Sequence, residues 1–276
     1  MLFLEILKAA ILGVIEGITE WLPISSTGHM ILVDQFMKLE MSPAFKEMFL
    51  VVIQLGAILA VVVLYWNKIN PFPFHKTHMQ KKETASIWFN IIIACVPAVI
   101  VALFLDDTIE SLFYNYQTVA VTLAVYGVLF ILIENRNRNK TPAITQLSQI
   151  DGRTALMIGL FQLLSLIPGT SRSGTTIIGA MLIGSSRSVA AEFTFLLGIP
   201  VMFGASFLKL FKFGFNFTGE EITVLITGMA VAFIVSIFAI RFLTSFIKKH
   251  DFKPFGWYRI VLGAIVFFYF ILQNNI

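Results

Sequence analysis

Six apolar runs, at 48–66, 87–105, 117–134, 188–208, 222–243 and 256–273, leave this chain little freedom in how it can fold. Each is long and clean enough to span a membrane, since about 20 apolar residues in helical form cross the hydrocarbon core of a bilayer. Composition removes the soluble alternative. Of 276 residues, 57% are hydrophobic and 13% are charged, with a mean hydropathy of +0.85. Soluble domains carry about 25% charged and about 45–50% apolar residues, so these few charges could not coat a water-facing surface. The sequence predicts an all-α polytopic membrane protein.

Charge placement orients it. The stretches 67–86, 135–153 and 241–254 hold 12 of the 20 lysines and arginines. The turn DDTIESLFYNY, by contrast, has three acids, Asp106, Asp107 and Glu110, and no base. The positive-inside rule puts the three basic stretches in the cytoplasm. The net charge of +4 therefore reports orientation, and no nucleic-acid partner is expected. His75, His78 and His250 fall in the basic stretches and read as solvated loop residues, while Asp106 and Asp107 read as a polar turn. The one cysteine, Cys95, sits in IIIACVPAV, so no disulfide forms within the chain and a small buried residue is expected. The N-terminal run 2–14 imitates a signal-peptide core, but it holds Glu5 and Lys8, lacks an A-x-A site and is read as part of the mature fold.

Two more apolar segments are broken in the middle: 2–37 by LPISSTGH and 154–183 by IPGTSRSG. Parity constrains them. The stretches 135–153 and 241–254 share a side, and the two clean spans between them already cross twice, so 154–183 must cross an even number of times. It is expected to dip in from the cytoplasm and return, and 2–37 to dip from the outside. The expected plan is six transmembrane helices plus two re-entrant helical hairpins in one integral membrane domain, 1–276. Inverted-topology repeats would cover about 1–134 and 154–276, joined by a cytoplasmic linker at 135–153. Gly13 with Gly159, Glu16 with Gln162, and Gly28 with Gly174 align at a common offset. Inverted repeats with broken helices at mid-membrane are a recurrent architecture, and the breaks mark the site.

The breaks carry the polar chemistry. Non-helical backbone at membrane depth survives only where it is packed in protein or lines a wet cavity. Pro23 removes a helical hydrogen bond, and Ser25, Ser26 and Thr27 can cap the helix that follows. In the second break Gly169, Thr170, Ser171, Arg172 and Ser173 form a Gly/Ser-rich turn entering a helix, which suits an anion. Arg172 adds a fork matched to phosphate oxygens. Glu16 and Glu20 share a helical face; such a pair is usually a solvated face, but the turns before it here are LKAAILGVI. His29 ends the first break. Intramembrane ionisable groups usually face a cavity or a partner, so the four charges are expected to meet around a site for a negatively charged group. Gln54 and Glu192 read equally as supporting or as packing residues.

EGITEWLPISSTGH followed by PGTSRSG, with VVIQLGAILAVV at 51–62 and AAEFTFLLGIP at 190–200, closely resembles the undecaprenyl-diphosphate phosphatase, or bacitracin-resistance, family over nearly the whole chain. The resemblance implies an enzyme of the bacterial plasma membrane, with its site facing the extracytoplasmic side. It would hydrolyse undecaprenyl diphosphate to the monophosphate and inorganic phosphate, recycling the lipid carrier for cell-wall synthesis. It further implies a divalent cation, Mg²⁺ or Ca²⁺. Carried over by position, the acidic pair is Glu16 and Glu20, which would be the metal ligands. The motif serine and histidine are Ser26 and His29. The arginine is Arg172, flanked by Ser171 and Ser173. The family often has an acid just before VVIQLG, where this chain has Leu50.

Phosphoryl transfer needs positioning, neutralised oxygens, a nucleophile and help for the leaving group. Three schemes fit these residues: Ser26 attacking with His29 as base or acid, water activated by a glutamate, and His29 attacking phosphorus itself. From another class, a secondary transporter or a flippase for a lipid phosphate would use the same inverted repeats and charges. An intramembrane protease is disfavoured, with no H-E-x-x-H present. The isoprenoid lipid diphosphate and the bilayer are the expected partners, and a homodimer is left open.

Overall fold

A computed structural model describes residues 2–72 and 76–274. His75 lies outside the described residues, as do the side chains of Asp106 and Asp107. The helices run in the order α1 Leu2–Thr19, α2 Ser26–Phe36, α3 Pro43–Leu64, α4 Trp66–Ile69, α5 His78–Phe113, α6 Tyr116–Asn137, α7 Gly152–Leu163, α8 Arg172–Ile183, α9 Arg187–Phe213, α10 Gly219–Phe246 and α11 Lys253–Asn274. No β-strand occurs among the described residues. By length and composition six of these helices can cross a membrane: α3, α5 as far as Leu105, α6, α9, α10, and α11 as far as Gln273. They coincide with the six apolar runs, while the two broken segments become α1–α2 and α7–α8.

Local chemistry sets the boundaries. Ser42 accepts from Phe45 N ahead of Pro43, which opens α3 where its missing N–H is not needed. Asn115, Asp151 and Ser186 cap α6, α7 and α9 in the same manner. Thr218 and Glu221 form a reciprocal capping box at the start of α10. The outer faces stay apolar: Phe207 and Phe211 of α9 and Phe238 and Phe242 of α10 are all exposed. An apolar surface of this extent suits lipid and not water.

Between helices lipid offers no hydrophobic gain, so packing depends on close approach through small residues. α1 lies along α10, α7 along α5, α6 along α11, and α3 contacts both α9 and α10. A Cβ on Gly56 of α3 would stand 2.0 Å from Met229 O of α10, and one on Gly159 of α7 would stand 2.3 Å from Ala94 O of α5. Hydrogen always fills those positions. At one end of the bundle, buried Glu134 of α6 accepts from Arg187 Nε (2.8 Å), Arg187 Nη2 (2.5 Å) and Phe252 N (2.9 Å), tying α6, α9 and the start of α11 together. Lys68 and Glu192 form a second interhelical ion pair. Glu192 is thus a structural partner of Lys68. Cys95 is buried and free, as its apolar surroundings predict.

Gly56→Ala is expected to destabilise by about 1–3 kcal/mol through forced overpacking. Gly204→Ala, where nothing stands within 4 Å of the new Cβ, should leave the unfolding midpoint unchanged or slightly raised. Thermal unfolding of the two variants in detergent provides the comparison.

Candidate active site

The first break begins where α1 ends at Thr19. Pro23 has no amide to donate, and Ile24 N turns back to Leu22 O at 2.7 Å. Ser25 then takes a left-handed backbone, φ 73°, and its Oγ accepts from Gly28 N at 3.2 Å to start α2. The second break repeats the device. After α7 a single 3-10 turn, Leu164–Leu166, leads to Gly169 at φ 86° and Ser171 at φ 69°. The Ser171 Oγ accepts from Gly174 N at 3.1 Å to start α8. Among the described residues, Ser25 and Ser171 are the two that adopt positive φ without being glycine. Strain of this kind costs about 1–3 kcal/mol per residue and gathers at functional sites.

The breaks are bound to each other. Arg172 Nη2 donates to Glu20 Oε1 at 2.9 Å, and Ser173 Oγ donates to Glu20 O at 3.0 Å. Ser26 Oγ donates to Glu20 Oε2 at 3.1 Å, so Glu20 holds the arginine on one oxygen and the serine on the other. Arg172 is also held by Thr194 O at 2.9 Å and lies 5.9 Å from the Trp21 ring centroid. Gly198 makes the space: a Cβ there would stand 2.8 Å from Arg172 Nη1.

Glu20, Ser26, Thr27, Gly169, Ser171 and Arg172 line a cavity of ≈ 200 Å³, together with Gln54. This is below the about 300–1,000 Å³ that encloses a whole drug-sized ligand, and it suits a polar head group whose tail stays outside. Leu50 is exposed on α3 and takes no part in the lining. Thr170 has a different task, donating to Leu164 O and Ile167 O and closing the second break.

No side-chain hydrogen bond among the described residues joins Glu16 or His29 to that cluster. Glu16 is 1% exposed and its Oε1 has no hydrogen-bond partner; neither side-chain polar atom of its counterpart Gln162 has one. His29 is bonded elsewhere. Its Nδ1 is 2.7 Å from Ser25 O, which can only accept, so Nδ1 carries the proton. In the neutral ring Nε2 then accepts from Tyr258 Oη at 2.7 Å. The structure thus joins Ser26 to Glu20, and no hydrogen bond among the described residues joins Ser26 to His29.

Among the described residues no group of three or more His, Cys, Asp or Glu could hold a metal. The donors present nevertheless suit one kind of cation. Mg²⁺ usually takes one or two carboxylates and completes its shell with water and substrate phosphate. Glu16, with a buried unpaired oxygen, and Glu20 form such a pair.

One functional residue escaped the sequence reading. Arg259 of α11 is fully buried and donates through Nη1 to Pro23 O (3.2 Å) and through Nη2 to Gly169 O (2.8 Å) and Thr170 O (3.0 Å). It thereby satisfies carbonyls freed by both breaks. The available signal was a charge near the start of the apolar run 256–273, treated there as part of a clean span.

Residues 9–265 match the model of the family described as bacitracin resistance protein BacA. The chain belongs to that family. It is 65% identical to the undecaprenyl-diphosphatase of Desulfitobacterium hafniense over 277 aligned residues, covering 100% of each chain. It is 62% identical to undecaprenyl-diphosphatase 1 of Clostridium acetobutylicum, with 98% of each chain covered, and 62% identical to the undecaprenyl-diphosphatase of Enterococcus faecalis, with 96% of each covered.

Arg259→Met is expected to destabilise by about 3 kcal/mol or more, because buried carbonyls at both breaks lose their donor. Arg259→Lys, with its charge kept but its fork lost, should fall between. Unfolding midpoints within a degree of wild type for both variants would remove Arg259 from this role.

Proposed function

We infer that the chain hydrolyses undecaprenyl diphosphate to undecaprenyl phosphate and inorganic phosphate, returning the lipid carrier to cell-wall synthesis and conferring resistance to bacitracin. The observation that carries the reading is the Arg172–Glu20–Ser26 array across the two breaks, set in a chain whose full-length relatives are named undecaprenyl-diphosphatases.

Arg172 binds the diphosphate. Contacts to Thr194 O, Glu20 and Met202 Sδ occupy three of its five N–H donors, and the rest are available to phosphate oxygens. Ser26 Oγ attacks the terminal phosphorus as its proton passes to Glu20 Oε2. The Oγ–P bond forms, the bond from phosphorus to the bridging oxygen breaks, and undecaprenyl phosphate leaves. Water then cleaves the phosphoserine and releases inorganic phosphate. His29 positions this serine: its Nδ1–H fixes the Ser25 carbonyl at the strained cap immediately before Ser26. Glu16 and Glu20 would hold Mg²⁺ or Ca²⁺. Such an ion would neutralise charge on the phosphoryl oxygens.

The arrangement is a single membrane domain, 1–276, with two re-entrant hairpins, α1–α2 and α7–α8, in inverted repeats joined by the 135–153 linker. Support comes from one recurring offset. Ser25 and Ser171 have the same left-handed cap, Glu16 and Gln162 the same buried place, and Gly13 and Gly159 the same close approach, to Gly228 O and Ala94 O respectively. With the basic stretches in the cytoplasm, the site opens to the extracytoplasmic side. The same symmetry favours a second reading, a flippase for the lipid monophosphate, since broken inverted repeats also build carriers. Phosphate release in detergent discriminates, because a carrier alone releases none.

The test is phosphate release from undecaprenyl diphosphate by purified protein. Ser26→Ala and Glu20→Gln should each lower kcat by about 10²–10⁴. Arg172→Lys should lose about 10²–10³ because a point charge replaces a bidentate fork. Near-normal turnover by Ser26→Ala would move the attack to water, and no release by wild type would end the hydrolase reading.

A further inference from the structure

A cavity larger than the one at the breaks lies elsewhere in the molecule. At the opposite end of α8, about 18 Å away along its axis, lies a pocket of ≈ 590 Å³. Its walls come from the end of α6 and the following linker, the α8–α9 turn, and the residues after α10. Five cations line it: Arg136, Arg138, Lys140, Arg187 and Lys248. The lining holds one carboxylate, Glu134, whose two oxygens are already engaged by Arg187 and Phe252 N. Nearby Asp251 pairs with Lys253. Arg136, Arg138, Lys140 and Lys248 have no ion pair among the described residues.

A second observation points to a ligand. Ser185 is 5% exposed, lines this pocket, and its Oγ has no hydrogen-bond partner. Unpaired buried hydroxyls are uncommon and call for an occupant. The pocket is also held in shape. Ala143 N and Ile144 N donate to Gly184 O at 2.9 and 3.1 Å, and Ser186 N donates to Ile144 O at 2.8 Å, stitching the linker to the α8–α9 turn.

We propose that this pocket binds the phosphate head group of an anionic membrane lipid, with Arg136, Arg138, Lys140 and Lys248 neutralising the phosphate and Ser185 donating to it. The shared chemistry is a phosphate oxyanion. Two features favour a lipid over free phosphate. Met181, Leu182 and Ile247 give the pocket apolar walls, and α10, whose following residues Ile247 and Lys248 line the pocket, exposes Phe238 and Phe242 one to two turns before its end, where acyl chains can lie. Basic pockets between helices at the cytoplasmic surface recognise phospholipid head groups in this way. The site is distinct from the Arg172 cavity and shares no lining residue with it.

The test uses the full chain in phosphatidylcholine nanodiscs containing a minor fraction of phosphatidylglycerol, with retained lipid counted by native mass spectrometry. Wild type should retain phosphatidylglycerol over phosphatidylcholine. The triple variant Arg136→Ala/Arg138→Ala/Lys140→Ala should lose about a hundredfold in retention, since each basic residue near an anionic surface contributes about fivefold. Ser185→Ala should weaken retention as well. Phosphate release by the triple variant should stay at the wild-type level, which certifies its fold. Should that variant fail to fold, Lys140→Glu and Lys248→Glu carry the reading at exposed positions. Undiminished retention in the charge variants overturns the proposal. Displacement of the lipid by millimolar inorganic phosphate keeps the oxyanion site but overturns the lipid as its source.

Discussion

An unwound backbone inside an apolar bundle persists only if the amides and carbonyls it frees find partners, because hydrocarbon supplies none. That constraint governs this structure. Two helices are broken, and Arg259, with every donor group buried, answers three of the freed carbonyls across both breaks. Thr122 adds a donor to Pro168 O at 2.8 Å, and Thr170 closes its own turn. Removing water makes each of these bonds strong and each omission costly. The breaks are therefore rigid, and a rigid break can hold Ser26 and Arg172 at fixed distances from Glu20.

The same economy of partners explains where satisfaction stops. Among the described residues, Trp21 Nε1, Glu16 Oε1 and both polar atoms of Gln162 are buried without partners in or beside the two breaks, and Ser185 Oγ is so at the far end of α8. A bundle selected for stability alone would fill such positions with apolar side chains. Here most of the unpaired groups and both strained serines collect at the breaks. Strain at a cap has a use as well, since a left-handed residue before the helix sets the direction of the following side chain, and Ser26 and Arg172 both turn to Glu20.

Much of this was legible in the residues. Hydropathy and length located six long helices, because a bilayer-spanning segment must be apolar over its whole length. Pro23 and Gly169 marked the breaks, and of the four charges expected to meet, those at 20 and 172 do so across them. What the chain did not disclose was pairing. Periodicity says which residues share a face of one helix, not which distant helix supplies the facing atoms. Ser26 and His29 look like a nucleophile and its base when read along the chain, three residues apart. In space the histidine is turned to Tyr258 of α11, and the serine to Glu20, just past the end of α1. Arg259 was overlooked for a related reason: one charge in a long apolar run reads as tolerated at a membrane edge, whereas its meaning lies in the carbonyls of two remote segments.

The geometry also bears on why this chemistry is embedded in the membrane at all. The cavity at the breaks has room for little more than a head group, so a lipid diphosphate bound there as proposed would leave its prenyl chain to the surrounding lipid. Each methylene withdrawn from hydrocarbon costs about 0.8 kcal/mol, so a soluble site would have to replace tens of kcal/mol of tail solvation by contacts of its own. A site reached sideways from the bilayer avoids that requirement. Its binding energy can then be spent on the phosphoryl oxygens, through Arg172 and the facing helix termini, where charge shifts during transfer. Small volume, buried cations and broken helices are thus one solution to a single problem, that of holding a highly charged head group while its tail never leaves oil.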